Sequence, residues 1–278
     1  MALRMPRAWW AARLAWAANR PEASSGSQPA SGSRLLRYAP ILVLLLAWEA
    51  ATSFGLVSTQ MLPHLSSIAA AFWSMLLSGE LVAQAARSLM RAAAGLGAAI
   101  LVGVSLGLLM AMIRPFRLVV NPVIQIFYPM PKSALIPVVM IWFGLGDMSK
   151  IVLIFLGCLL PVVISSYNGA RGVNPLLLWS AASLGASRRA VLCDVVLPAA
   201  MPEILSGIRT ALAFAFILMV SSEFVIAKDG VGYLISSLGD GGAYPAMFAV
   251  IFTVALVGFA ADRLYGALVR HQLRWREP

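Results

Sequence analysis

Apolar and polar positions along this chain alternate on the scale of whole helices. Six apolar runs, at residues 38–56, 89–112, 119–143, 151–167, 208–227 and 245–261, are separated by short stretches that carry most of the charge. Each has the roughly 17–25 residues that a membrane-crossing helix needs. The pattern predicts an all-α, polytopic membrane protein with about six transmembrane helices. The second run is rich in glycine, and its Gly103-x-x-x-Gly107 spacing lets a neighbouring helix come close, by general packing or in a specific dimer contact. The third is interrupted by Pro122, Pro129, Pro131 and Pro137 and contains Lys132. Prolines free backbone carbonyls that neighbours or a wet cavity must satisfy, so Pro129, Pro131 and Lys132 are candidates for a translocation path. Lys132 either lines that path and favours anions, or snorkels and pairs structurally. Residues 61–86 read as a short amphipathic helix at the outer surface. Lys228-Asp229-Gly230 makes an outer turn, and residues 232–243 extend the excursion.

Composition agrees with a membrane protein: 60% of the 278 residues are hydrophobic and 12% charged, and the mean hydropathy is +0.86. The net charge of +10 invites a nucleic-acid reading. The arginines, however, are scattered between apolar runs and follow the positive-inside rule, so no nucleic-acid partner is expected. Sixteen of them, from Arg4 to Arg276, fall on one side of the predicted topology, whereas only Arg87, Lys150 and Lys228 fall clearly on the other. Both termini and the central loop are therefore placed in the cytoplasm. Residues 1–33 form a basic, then Ser/Gly/Pro-rich, tail without a cleavable secretory signal. Its first part reads equally as an amphipathic helix on anionic lipid or as a disordered tail.

The central loop, residues 171–207, is too polar for the hydrocarbon core yet reads as structured. Asn174-Pro175 is a helix start, Gly185 a break, and Ser187 the cap of a second short helix over 188–196 that Pro198 stops. Pro202-Glu203 then opens a third helix.

Ala181, Leu184-Gly185-Ala186-Ser187 and Val195-x-Leu197-Pro198 resemble the EAA loop of bacterial ABC-importer permeases. The family's glutamate and first alanine are replaced by Trp179 and Ser180. The stretch from Pro129 to Ile151, the Ser88-Leu89-x-Arg91 tetrad, and Glu223 with the segment from Gly230 to Ile235 are similar to the nitrate/sulfonate/taurine-type branch. The resemblance covers residues 62–275. It implies a type-1 ABC transporter transmembrane domain over 61–278, after the tail and a first transmembrane helix at 34–60. It further implies a coupling helix that docks on a cytoplasmic ABC ATPase, a periplasmic or lipid-anchored substrate-binding protein, and a second permease copy, as a homodimer in the lipid of the bacterial inner membrane. The cargo it implies is a small anion such as a sulfonate, taurine or nitrate, with a pyrimidine-type vitamin precursor as the alternative.

The chain's own chemistry argues against catalysis. It has no P-loop, so ATP and Mg are expected to be used by the partner and no cofactor by this chain. His64 and His271 fall on opposite sides of the topology, and Cys158 and Cys193 lack metal or redox spacing. Glu223 ends an apolar helix face, where it either braces the outer loop or contacts the delivery protein. A self-sufficient secondary transporter would need coupling-ion sites, for which only Glu49, Lys132 and Glu223 are candidates. A membrane-embedded enzyme would need a convergent acid, base or metal set.

Overall fold

The computed structural model describes residues 39–276, all in helices and connecting turns. Two units are distinguished, 1–57 and 58–278. In the first, the described part is a single apolar helix, α1 (Ala39–Ser53). Its 15 residues are fewer than the roughly 20 needed to span hydrocarbon. The tail assigned to 1–33 and the start of the first span lie outside the described residues.

The second unit opens with α2 (Leu65–Leu77) and α3 (Glu80–Met112). The outer helix expected over 61–86 is thus split at Gly79, whose φ of 78° turns the chain. The long helix starts at Glu80, well before residue 89. Its first turns tolerate Ser88 and Arg91 because both are buried against protein. At 33 residues α3 is about 50 Å long, more than a hydrocarbon core requires.

The third apolar run is two helices, not one kinked span. α4 (Arg114–Phe127) and the pair formed by a 3₁₀ turn (Lys132–Leu135) with α5 (Ile136–Phe143) meet at 94°. Tyr128 is still helical, but Pro129 and Pro131 bring no amide donors with which to continue the winding, so α4 ends at the break. Pro122 is accommodated inside α4.

α6 (Asp147–Arg171) is the centre of the bundle, with α3 on one side and α9 on the other. It is buried along both faces because both neighbours offer glycine and alanine to it. On α3 the buried stripe is Ala92, Gly95, Ala99, Gly103 and Gly107, at helical spacing. A Cβ at Gly107 would stand 2.6 Å from that of Ser166 and 2.7 Å from the Val163 carbonyl. Gly107→Val is therefore expected to cost about 1–3 kcal/mol or more by overpacking this seam. Gly97→Val, where the added group meets nothing within 4 Å, should be neutral within about 0.5 kcal/mol. Thermal midpoints of the two purified variants check the contrast.

The central loop forms α7 (Pro175–Ser183) and α8 (Arg188–Ala190). The stop expected at Pro198 and the new start at Pro202 do not occur. α8 runs through a wider π-type turn (Val191–Val196) directly into α9 (Leu197–Ile226). The wider winding relieves the carbonyls that the Pro198 ring would otherwise strike, and Pro202 lies inside the continuous helix. The outer excursion contains a further helix, α10 (Val231–Asp240), before α11 (Tyr244–Gln272) and a closing 3₁₀ turn (Arg274–Arg276). By length and composition α3, α6, the α8–α9 run and α11 can each cross a membrane, and the α4–α5 pair adds a fifth crossing if its two bent arms together make one broken span. The expected count of six spans is met only by adding the shorter α1.

Candidate functional site

Three places in the second unit gather the candidate residues. The first is a polar cluster where the starts of α3 and α6 meet the end of α9. Gln84, Ser88 and Arg91 recur at helical spacing on α3 and face the turn after α9. Arg91, 4% exposed, sends Nη1 to Glu223 Oε1 at 2.8 Å, Nε to Asp147 Oδ1 at 2.7 Å and Nη2 to Asp229 Oδ1. Glu223 also accepts from the Ser88 hydroxyl at 2.7 Å and from the Gly232 amide at 3.1 Å. Ser88 in turn accepts from the Val231 amide at 2.9 Å, and Gln84 accepts from the Gly230 amide. Gly230 has a φ of 104°, and a Cβ there would fall 2.3 Å from the Glu223 carboxylate, so this turn closes over Glu223 only with glycine.

Glu223, offered by the sequence as a brace or as a contact for the delivery protein, is 1% exposed and its carboxylate is committed to these partners. Lys150 is buried beside the cluster and donates to the Leu145 and Gly146 carbonyls at 3.1 and 3.3 Å, which closes the turn between α5 and α6. The Arg91 hydrogen bond holds the Asp229 carboxyl below the usual carboxylate range. Such a group contributes stability that is complete above its unfolded value of about 3.9 and is lost as pH falls through the lower folded value. The thermal midpoint should therefore carry the full Asp229 contribution, without pH dependence from it, between about pH 5 and 8, and lose it only below about pH 4.

The second place is a cleft of about 560 Å³ between the α4–α5 break, α6 and α9. Pro131 and Lys132 line it, whereas Pro129 lies exposed at the break outside its lining. Gly157, Leu160, Phe214 and Leu218 make it largely apolar, and Tyr128, Ser165 and Thr210 bring hydroxyls. A smaller, also largely apolar cleft, to which Asn121, Gln125 and Asn168 bring side-chain amides, continues along α6 and shares Tyr128 and Ile164 with the first. Lys132 Nζ donates to the carbonyls of Phe127, Tyr128 (3.4 Å) and Met130 (2.7 Å). An ammonium has three protons, and all three are used to close the end of α4, the favourable place for a cation on a helix. Lys132→Met should therefore lower stability by about 1–3 kcal/mol and slow anionic and neutral solutes alike. Loss confined to anions, read in vesicle uptake, would show that the ammonium serves the cargo instead.

The third place is the central loop. Asn174 caps α7, its side chain accepting from the Leu176 amide at 3.0 Å, and Ser187 caps α8, accepting from the Ala190 amide at 3.2 Å. Gly185 joins them at φ 78°. Leu184 and Ser187 are exposed, Ala181 and Ala186 half-buried. Val195 and Leu197 are half-buried against the small core of Ala170, Val173, Val196, Ala200 and Ile204, and Pro198 points outward. The eight residues thus do not form one surface: the α7–α8 corner is presented, while Val195 and Leu197 fasten it to the bundle. The roles of Ser88, Asp147 and Asp229 were missed from the sequence, although the polar stripe at 84, 88 and 91 on an apolar helix was a usable signal.

Comparison with known proteins places this arrangement. The family model described as binding-protein-dependent transport system inner membrane component matches residues 99–274. The taurine transport system permease protein TauC of Escherichia coli (strain K12) is 32% identical over 252 residues, covering 89% of this chain and 92% of that protein. A provisionally named aliphatic sulfonates transport permease protein, SsuC, of Bacillus subtilis (strain 168) is 35% identical, covering 84% of this chain and 85% of its own length. Among solved structures, a chain of the MetNI methionine ABC transporter in inward-facing conformations aligns with a TM-score of 0.61 at 18% identity, over 70% of this chain and 97% of that one. The likeness to that structure concerns the fold alone. Together these matches establish that the chain belongs to the family of binding-protein-dependent transport system inner membrane components.

Proposed function

We propose that this permease, a multi-pass inner-membrane transport component, carries taurine or a related small sulfonate. The observation that carries this reading is the match along most of their length to two relatives named for taurine and aliphatic sulfonates. Two copies of the chain, seated in membrane lipid, form the path between them. A periplasmic or lipid-anchored binding protein delivers the cargo. A separate cytoplasmic ATPase, which uses ATP and Mg, docks on the α7–α8 corner, so hydrolysis is not this chain's chemistry. Both termini face the cytoplasm, in keeping with the arginine distribution. ATP binding closes the ATPase pair, and the two loops carry that motion into the bundles, which rock from inward- to outward-facing.

The geometry fits a path that does not hold its cargo tightly. The 560 Å³ cleft offers hydroxyls and apolar walls, and the ammonium at its edge is taken up by carbonyls. Selectivity for a sulfonate then rests mainly with the delivery protein. The test is affinity purification of the tagged chain from its native membrane, followed by taurine uptake in vesicles. An ATPase and a binding protein that retains taurine or an alkanesulfonate are expected with it, and uptake should require ATP. Uptake without ATP by the chain alone would replace this reading with a secondary transporter. A binding protein that takes only a vitamin precursor would overturn the substrate while leaving the importer.

A further inference from the structure

We infer that the outward side of α7 is an uncharged anchor centred on Trp179, received by the ATPase subunit in an apolar groove with an acidic rim; this rests on the importer reading above. Residues 172–187 contain no charged side chain. At 100° per residue, Leu178 and Ala181 share one side of α7, where both are half-buried and Leu178 packs against the small core. Leu176 and Trp179 occupy the opposite arc and are 61% and 66% exposed, with Leu177 at its edge at 51% and Leu184 beyond them at 88%. A helix that lies on a bilayer needs a polar side to turn to water. α7 turns only the hydroxyls of Ser180 and Ser183 outward beside Leu176 and Trp179 and has no charge on either side, which suits a helix held between its own bundle and a second protein.

The charge around it indicates what that protein offers. Exposed Arg188 and Arg189 follow the corner. Arg171 precedes it and donates to the Tyr167 hydroxyl at 2.9 Å, with Arg117 on the other side of that hydroxyl at 3.5 Å. Against these four arginines stand the exposed acids Asp194 and Glu203. The partner's surface is thus apolar where Trp179 enters and acidic around it. Trp179 stands where the resembled loop pattern has a glutamate, so a groove whose cation waits for a carboxylate does not suit this chain. Large aromatic anchors of this kind dominate interface energetics, whereas rim charges mainly tune encounter and salt dependence.

The test compares full-length wild type with Trp179→Phe, Trp179→Ala, Trp179→Glu and the double variant Arg188→Glu/Arg189→Glu, each scored by ATPase recovered per permease. Trp179 is exposed, so folding is not at stake, and thermal midpoints check that. Phe should retain most of the ATPase. Ala and Glu should each lose at least tenfold, and the double variant should lose binding most at low salt. Full recovery with both Ala and Glu overturns the anchor while leaving the importer reading intact. If wild type itself recovers no ATPase, the importer reading fails instead. Amide exchange over 175–183 in nanodiscs of anionic lipid separates the remaining occupant. Protection gained only when ATPase is added supports the anchor, and full protection without it shows that α7 sits in the bilayer and overturns the proposal.

Discussion

Arg91→Met is expected to destabilise the protein by about 3–5 kcal/mol, the usual cost of leaving a buried charge without its partner. The stranded group is Glu223, whose side chain is fully buried while Asp147 and Asp229 keep access to water. The methionine fills much of the arginine's volume, so the loss is electrostatic more than steric. A second substitution separates the two. In Arg91→Met/Glu223→Gln the amide still accepts from the Ser88 hydroxyl and the Gly232 amide, but carries no charge. Most of the lost stability should return, because an uncharged hydrogen-bonded pair escapes the desolvation penalty. Thermal unfolding in detergent or nanodiscs reads both. A single variant as stable as wild type, or a double variant no better than the single, would show that the cluster does not hold the meeting ends of α3, α6 and α9 together.

Gly185→Trp is expected to abolish ATP-driven uptake while the chain still inserts and folds. A side chain added at Gly185 meets nothing within 4 Å, so the bundle has no reason to reject it. The φ of 78°, however, is a backbone state that costs a residue with a Cβ about 1–2 kcal/mol. That strain and the indole's bulk both fall on the α7–α8 corner. ATPase activity in reconstituted complexes should persist or drop, but should no longer respond to the loaded binding protein. Wild-type uptake by this variant would remove the docking role from the corner. Gly144, also at positive φ in open space but in the turn after α5, is the natural control.

Much of this was legible from residue pattern. The apolar runs mark α3, α6, α9 and α11, and the Asn174, Ser187 and Gly185 signals describe the α7–α8 corner as it stands. What was not legible follows from tertiary compensation. Pro198 and Pro202 read as helix boundaries because a proline removes a donor, yet the wider turn before Pro198 absorbs its cost and Pro202 is carried within the continuous helix. Pro129 and Pro131 read as kinks within one span, yet two prolines so close redirect the chain by 94°. Lys132 read either as a path cation or as a structural pair, and the sequence could not choose between them. Its three carbonyl partners exist only because the helix breaks beside it. Glu223 lies more than 130 residues from both Ser88 and Arg91 in sequence, so only the folded bundle brings it to them.

The uninterrupted winding from Ser187 to the end of α9 has a mechanical consequence. Arg188–Val225 is a single 38-residue rod of about 55 Å. One end carries the α7–α8 corner, and the other carries Glu223, bolted through Arg91 to the opposite ends of α3 and α6. No loop lies between them in which a push could be dissipated. The looser turn at 191–196 gives the rod some torsional slack but no joint. A shove of an ångström or two at one face of the membrane therefore arrives at the other as a tilt of the whole shaft, with the Arg91 clamp as its far bearing.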